Sequence, residues 1–142
     1  MSATADHAEK SLAERLGFKS GQVVQEIGYD ETDADQELRD QVEETIGQAL
    51  VDEDYDDVAD AVLLWFRDDD GDLTDSLVDN LQYLEEGGHI VLLTPKTGRE
   101  GYVEASEISE AVKTAGLTSS KSVSAGKDWT GSRLATPKTA RR

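Results

Sequence analysis

Residues 59–95 decide the fold, and they read ADAVLLWFRDDDGDLTDSLVDNLQYLEEGGHIVLLTP. Two apolar runs, at 61–66 and 90–93, flank a segment that has leucine at positions 73, 77, 81 and 84. Apolar runs without alternation are typical of strands covered on both faces, and the leucine spacing is typical of an amphipathic helix. The stretch therefore predicts a strand, a helix and a strand, for which a right-handed parallel crossover is the favoured packing.

Turn residues mark the limits of these three elements. Asp72 is placed to cap the helix, because an aspartate before the first turn accepts hydrogen bonds from free amide groups and opposes the helix dipole. A glycine pair at 87–88 predicts the helix end, so the helix covers 73–84 and the second strand covers 89–93. Pro95 predicts the end of that strand, since proline cannot donate to the ladder.

The sequence before this stretch predicts a helix, a strand and a second helix. The first helix is short and ends at Gly17, and a strand with β-branched residues at positions 23, 24 and 27 covers 22–29. The second helix has an apolar stripe at positions 38, 42 and 46. Its cap is Asp33 or Asp35, and Gly47 ends it.

The remaining segments complete the predicted fold. A short extended piece lies at 49–51, and a helix with apolar residues at positions 108, 111, 112 and 115 is closed by Gly116. Two segments, 118–125 and 129–136, flank a three-residue loop and predict an antiparallel hairpin. We therefore predict a three-layer, Rossmann-like α/β fold with a mostly parallel sheet and a C-terminal antiparallel hairpin.

Length and composition limit the possible classes of protein. A chain of 142 residues fits one domain, which we place at 11–137, between a disordered N-terminus at 1–10 and a flexible basic tail at 138–142. Cysteine is absent, which excludes disulfides, thiolate metal sites and a cysteine nucleophile. The apolar runs are too short to cross a bilayer and the N-terminus lacks the apolar core of a signal peptide, so we expect a cytoplasmic protein.

The net charge of -17 is distributed unevenly along the chain. Residues 1–93 hold 26 acidic and 5 basic side chains, a charge of -21, whereas residues 94–142 hold 5 and 9, a charge of +4. The acidic part would be repelled by nucleic acid and by anionic membranes. A basic protein surface is the partner that this charge favours.

The acidic turn RDDDGDLTD, at 67–75, is a candidate calcium loop because hard cations bind clustered oxygen ligands. If Gly71 is aligned with the invariant glycine of an EF-hand loop, Phe66 and Leu77 fall at positions 1 and 12, where carboxylates are required. The motif therefore fails. Helix capping and solubility explain the turn better, and we predict no metal site.

Two loops are candidate anion sites: the turn after the first strand and the loop at 94–99. Phosphate binding after the first strand needs a glycine-rich turn, but Gly28 is followed by Asp30 and Glu31, which would repel phosphate. The loop at 94–99 is the better anion site because it contains Lys96 and Arg99 and follows a strand end, where α/β sheets bind ligands. A plain connection remains the more frequent role of such a loop.

Catalytic residues are not predicted. The histidines are His7, in the N-terminal segment, and His89, at the start of a strand, and a general base would need a nucleophile and an orienting carboxylate beside it. We expect His89 to be a surface or hydrogen-bonded histidine. Core packing is the favoured role of Trp65 and Trp129, and an exposed partner anchor is the alternative for Trp129.

The order of elements over residues 59–136 resembles the second half of class I methyltransferase-like Rossmann folds. The string LEEGGHIVLLTP, at 84–95, is similar to the loop and strand of those enzymes, which end in a helix and an antiparallel hairpin. The resemblance implies a cofactor held by a glycine-rich turn after the first strand. In this chain that turn has a single glycine, Gly28, in the string EIGYD.

The whole chain more closely resembles a family of small actinobacterial proteins, the domain-of-unknown-function 3052 family. Four strings carry the resemblance: FKSGQVVQEIGYD, LVDEDYDDVADAVLLWFRDDDGDLTDSLVD, GGHIVLLTPKTGREGYVEASEI and KDWTGSRLATPK. They include most of residues 18–138. The resemblance implies an actinobacterial source and a cytoplasmic setting, and it implies no activity.

The sequence favours a non-enzymatic interaction or regulatory protein whose acidic face, at 30–60 and 68–79, meets a basic protein surface. The alternative is a degenerate methyltransferase-like enzyme or small-ligand binder with a crevice at the strand ends, for which no cofactor is assigned. The residues next to this crevice are Ile27, Gly28, Trp65, Phe66, Arg67 and Thr94. The candidate ligand-binding residues of the chain are Gly28, Trp65, Arg67, Thr94, Lys96 and Arg99.

Overall fold

Four helices and six strands make up the part of the chain that the structure, a computed structural model, describes: residues 11–120 and 122–136. The helices are α1 (Leu12–Arg15), α2 (Gln36–Ile46), α3 (Leu73–Leu81) and α4 (Ala105–Thr114). The strands are β1 (Val24–Ile27), β2 (Ala59–Trp65), β3 (Leu84–Pro95), β4 (Thr118–Ser119), β5 (Val123–Ser124) and β6 (Trp129–Ala135).

All six strands belong to one sheet, in the order β1-β2-β3-β6-β4, with β5 also paired to β6. The β1–β2 and β2–β3 pairs are parallel, and every pair that includes β6 is antiparallel. The α/β fold is confirmed, but the expectation of a mostly parallel sheet is wrong because the sheet is mixed. The short loop before β6 permits only antiparallel pairing with β5, and β6 then lies antiparallel beside β3 along its whole length.

Helices cover both faces of the sheet. Alternate residues of β2 and β3 point to opposite faces, so each strand contributes to two apolar clusters. The first cluster packs against α1 and α2, and the second packs against α3 and α4. We call these the α2 face and the α4 face. Trp65 and Trp129 both lie in the core on the α2 face, with 1% and 2% of their surface exposed.

The predicted start and end of α2 and the predicted start of α3 are confirmed, and capping residues set all three. The carboxylate of Asp35 accepts a hydrogen bond from the amide of Leu38 at 2.9 Å, and Gly47 ends α2 in a left-handed conformation. Asp72 caps α3 by accepting from the amide of Asp75 at 3.0 Å. In both helices a single aspartate side chain replaces a missing intrahelical acceptor.

The boundary between α3 and β3 differs from the prediction. Helix α3 ends at Leu81, and the extended chain begins at Leu84, which pairs with Ala59 of β2. The glycine pair at 87–88 therefore lies inside β3. At Gly88 an added Cβ would come within 2.5 Å of the carbonyl oxygen of Asp60, so this glycine permits close approach of the two strands next to their register shift.

Two other strands differ from their predicted limits. Strand β1 is shorter than 22–29, and the first arm of the hairpin is divided into β4 and β5 because the residues between them leave the regular ladder. The extended piece at 49–51 is reduced to one parallel bridge between Val51 and Gln25. Strand β1 thus has Val51 on one edge and β2 on the other, which makes its carboxyl end a topological switch point.

Several predictions concern residues outside the described part of the chain. These are the disordered segment at 1–10 and the basic tail at 138–142, and they stay predictions. Within residues 11–120 and 122–136, no helix has the length and apolar character needed to cross a bilayer.

Candidate functional site

The turn after β1 brings three predicted site residues together. Gly28 adopts φ +81° at the carboxyl end of β1, a conformation that favours glycine, and an added Cβ would collide with the carbonyl oxygen of Trp65. Its amide donates to a carboxylate oxygen of Glu53 at 2.8 Å, and its carbonyl accepts from Nη1 of Arg67 at 2.8 Å. Both backbone polar groups of this glycine are thus already bonded within the chain.

Arg67 fills the space between the turn and the acidic segments around it. Its Nε and Nη2 atoms donate to the two carboxylate oxygens of Asp33 at 2.9 and 2.6 Å, and Nη1 lies 3.3 Å from a carboxylate oxygen of Asp70. The guanidinium also lies 5.2 Å from the ring centre of Trp129. Hydrogen bonding to Asp33 raises the pKa of Arg67 above its ordinary value, against the opposing effect of burial.

Glu26 lies in β1, two residues before Gly28. It is a buried carboxylate that sequence reasoning did not identify. It is 5% exposed and accepts three hydrogen bonds: from Nε1 of Trp65 at 2.8 Å and from Nε and Nη2 of Arg39 at 2.7 and 2.8 Å. These bonds raise the pKa of Arg39. The bidentate contact with Arg39 compensates the buried negative charge of Glu26. Trp65 is held further by an edge-on contact with Trp129, with 4.8 Å between the ring centres.

We call the region bounded by Glu26, Gly28, Arg39, Trp65 and Arg67 the β1 crevice. It lies at the switch point of the sheet, where open α/β folds bind ligands. The backbone groups of Gly28 are bonded to Glu53 and Arg67, and the carboxylate of Glu26 is bonded to Arg39 and Trp65. These groups are thus already occupied by side chains of the same protein. An open hollow of about 390 Å³ lies on the outer side, between Arg39 and residues 50–54. Another, of about 420 Å³, is lined by Asp33 and Trp129, which contact Arg67.

The other predicted site residues lie elsewhere. Thr94 lies on the α4 face, behind the sheet as seen from the β1 crevice. The ammonium group of Lys96 donates to the carbonyl oxygen of Gly126 at 3.0 Å, and Arg99 pairs with Asp128 at 3.1 Å. The predicted anion loop therefore directs both of its cations to partners next to β6.

The acidic turn after β2 has structural partners for its aspartates. A carboxylate oxygen of Asp70 accepts from the amide of Arg67 at 2.8 Å, and Asp72 caps α3. Across the described ranges, no group of three or more histidine, aspartate or glutamate side chains is arranged to hold a metal ion. Capping and charge pairing account for this turn.

His89 lies in the core and has a structural contact. It is 4% exposed, and its Nε2–H group donates to the carbonyl oxygen of Leu16 at 3.1 Å. Burial lowers the pKa of His89 to about 4, with a further contribution from the nearby cations Arg133 and Lys19. The residue is a neutral hydrogen-bond donor that fixes α1 to the sheet.

A further hollow, of about 400 Å³, lies on the α4 face at the carboxyl end of β3. Sequence reasoning missed it, although the string TSSKSVS, at 118–124, signals an unusual density of hydroxyl groups. We call it the hydroxyl hollow. Its lining side chains with a hydroxyl group are Thr94, Thr97, Tyr102, Ser109, Ser119, Ser120, Ser122, Thr130 and Ser132.

Comparison with solved structures gives the class of fold. A glycopeptide N-methyltransferase, MtfA, matches with a TM-score of 0.61 and 12% identity, over 94% of this chain and 90% of that protein. A ribosomal protein L11 methylase from Lactobacillus delbrueckii subsp. bulgaricus matches with a TM-score of 0.55 and 16% identity, over 87% and 74%. At these identities the similarity shows the fold alone: an α/β protein with a mixed sheet of the methyltransferase-like Rossmann type.

Sequence comparison gives the family. The chain belongs to the family described as "Protein of unknown function (DUF3052)", whose model matches residues 13–138. A relative in Mycobacterium tuberculosis strain H37Rv, "Uncharacterized protein Rv2239c", is 50% identical over 134 residues, which is 94% of this chain and 83% of the relative. A protein of Mycobacterium bovis, "Uncharacterized protein Mb2263c", matches equally well. The resemblance stated from the sequence is confirmed.

Proposed function

We propose that this protein is a non-enzymatic cytoplasmic interaction module that binds a basic protein surface through the acidic edge of its sheet. The observation that supports the proposal is the placement of Arg39 and Arg67, the two basic residues between positions 20 and 93. Both are turned inward, to Glu26 and to Asp33 and Asp70 respectively. The exposed acidic residues of the same segment therefore face water, and neither of the segment's two basic side chains points outward to neutralise them.

The filled β1 crevice supports a role other than catalysis. A cofactor at the switch point would have to displace Glu53 from the amide of Gly28 and Arg67 from its carbonyl. Breaking such charge-assisted bonds leaves charges unpaired, and each lost bond costs about 1.5–3 kcal/mol. The arrangement favours a rigid crevice whose contacts stabilise the fold, with interaction confined to the outer surface.

The exposed acidic residues of this part of the chain form what we call the acidic rim. They lie between β1 and α2, on α2, on the loop after Val51, which passes over β1, on the turn before α3 and on α3 itself. A rim of one charge sign accelerates encounter with an oppositely charged partner, and salt weakens it because the Debye length is about 8 Å at physiological ionic strength. The exposed side chains of this acidic rim are Asp30, Glu31, Glu37, Asp40, Glu44, Asp52, Glu53, Asp54, Asp56, Asp57, Asp68, Asp69, Asp75 and Asp79.

The test is capture of proteins from a cell extract by immobilised wild-type protein and by two variants that each lose four charges. The rim variant carries Asp40→Asn, Glu44→Gln, Asp54→Asn and Asp56→Asn, at exposed positions whose side chains make no hydrogen bond to another described residue. The control variant carries glutamine at the four exposed glutamates 100, 104, 107 and 110 in and before α4.

We expect a basic protein to be retained by the wild type and the control at low salt, and to be lost from the rim variant. Raising the salt concentration should release it from all three, because exposed charge pairs are screened. Retention by the rim variant at wild-type level, or equal loss from both variants, would contradict a specific role for the rim.

The second candidate is a degenerate methyltransferase-like enzyme or small-ligand binder, which the fold of the solved relatives favours. A thermal-shift measurement with S-adenosylmethionine separates the two candidates, because a ligand that binds the folded state raises its melting temperature. We expect no shift for the wild type. A concentration-dependent rise in melting temperature would favour the second candidate.

A further inference from the structure

We propose that the hydroxyl hollow is a binding site for a neutral, polyhydroxylated small molecule with the chemistry of a sugar ring. The hollow lies on the α4 face, and it shares no lining residue with the β1 crevice. Its volume of about 400 Å³ is within the range of small-ligand sites. The inference is independent of the proposed protein interaction, which concerns the opposite edge of the sheet.

The floor of the hollow is built by paired strands. Thr94 of β3 lies directly opposite Thr130 of β6, and Leu92 lies opposite Ser132, so both hydroxyl groups of β6 are on the same face as Thr94. Cross-strand neighbours of this kind are about 5 Å apart. Three hydroxyl groups are therefore held on one face of the sheet, where they can bond to more than one hydroxyl of the same sugar ring.

Thr94 is the residue that most clearly indicates a ligand. It is 5% exposed, and its hydroxyl makes no hydrogen bond to any other described residue. No fully enclosed side-chain nitrogen or oxygen of the described residues lacks a partner. The hydroxyl of Thr94 is therefore accessible from the hollow that Thr94 lines, where a ligand can take the place of water as its hydrogen-bond partner.

The broken hairpin opens the hollow on the side of β4 and β5. Strand β4 pairs with positions 134 and 135, and β5 pairs with positions 130 and 131. Between them Ser120 still donates its amide to the carbonyl oxygen of Arg133 at 2.9 Å, whereas Ser122 lies outside the ladder. Each serine or threonine hydroxyl of this segment can both donate and accept a hydrogen bond.

The opposite wall is apolar, and the lining residues that the structure describes are uncharged. Pro95, Val103 and Ile108 present aliphatic carbon beside the hydroxyl groups. None of the thirteen described lining residues is charged, in a chain in which 32% of the residues are charged. An ionised ligand would lose its hydration there without a counter-charge. A neutral ring with an aliphatic face and several hydroxyls loses less hydration free energy on binding. Its aliphatic face matches the apolar wall, and its hydroxyls match the hydroxyl groups of the floor.

The experiment uses ligand-observed saturation-transfer NMR of the full chain with glucose, maltose and adenosine as separate probes, followed by titration of any that bind. Two variants each remove one hydroxyl of the floor: Thr94→Val, which keeps the shape, and Ser132→Ala. Ser106→Ala is the control, since Ser106 is exposed on α4 outside the hollow. Thermal unfolding of each variant checks that it is folded.

We expect saturation transfer to glucose or maltose. Each floor variant should weaken the binding roughly three- to ten-fold, the effect of one lost hydrogen bond, with the control unchanged. If Thr94→Val does not fold, Ser132→Ala decides the result alone. Transfer to adenosine only would overturn the assignment to a sugar. Absence of transfer to all three probes, or equal affinity in the floor variants and the control, would overturn the site itself.

Discussion

The buried histidine makes the free energy of unfolding depend on pH in a way that can be worked out. His89 is neutral in the folded protein, where burial lowers its pKa from 6.5 to about 4. In the unfolded chain it takes up a proton at its ordinary pKa. The unfolded state therefore binds more protons as the pH falls through 6.5, and His89 destabilises the fold progressively from there down to about pH 4.

The size of the effect follows from the two pKa values. One unit of pKa difference corresponds to about 1.4 kcal/mol, so the difference between 6.5 and about 4 gives a full loss of about 3 kcal/mol at the lowest pH. At about pH 5 the linkage gives a loss of about 2 kcal/mol relative to neutral pH. At pH values well above 6.5 the contribution of His89 is constant, because neither state then binds a proton there.

The measurement is urea unfolding of the wild type and of His89→Gln at neutral pH and at about pH 5. Glutamine does not titrate, and its Nε2 can reach the position from which His89 donates to the carbonyl oxygen of Leu16. The two proteins have the same carboxylates, so the comparison isolates His89. We expect the wild type to lose about 2 kcal/mol more than the variant on acidification. Equal losses in the two proteins would refute the reasoning.

Three substitutions test the structural contacts by the same urea assay. Gly28→Ala should destabilise the fold by at least roughly 1–3 kcal/mol, because alanine is strained at this φ and its Cβ meets the carbonyl oxygen of Trp65; a neutral result would contradict the described turn. Glu26→Gln should cost roughly 2–3 kcal/mol through loss of the charged bonds to Arg39, and an unchanged stability would show that the pair is solvated. Asp72→Ala should cost about 1 kcal/mol as a lost helix cap, and Asp72→Asn should restore most of it.

The parts of the fold that local chemistry decides could be predicted from the sequence. Asp35 and Asp72 cap their helices because the partner amide lies three residues away in each case. The position of Leu84 could not be predicted in this way. It has helical spacing, but the chain around it is extended because Leu84 pairs with Ala59, a residue that only the assembled sheet brings beside it.

The candidate sites depend still more on distant residues. Arg67 reaches Asp33 and Gly28, which are 34 and 39 positions away, so its role in filling the β1 crevice has no sequence pattern. The prediction that Gly28, Trp65 and Arg67 lie together was correct in position, but their ligand role remains a prediction. Thr94 was grouped with them because it ends a strand, and the strand pleat turns it to the other face.

The most direct test of the filled crevice is an NMR titration that observes its own groups. The indole Nε1–H of Trp65 donates to Glu26, and the amide of Gly28 donates to Glu53, so both resonances report on the interior of the crevice. With S-adenosylmethionine added to millimolar concentration, we expect neither resonance to move. A saturable shift of both resonances that follows the ligand concentration would contradict a crevice closed by the chain's own side chains, and with it the proposed non-enzymatic role.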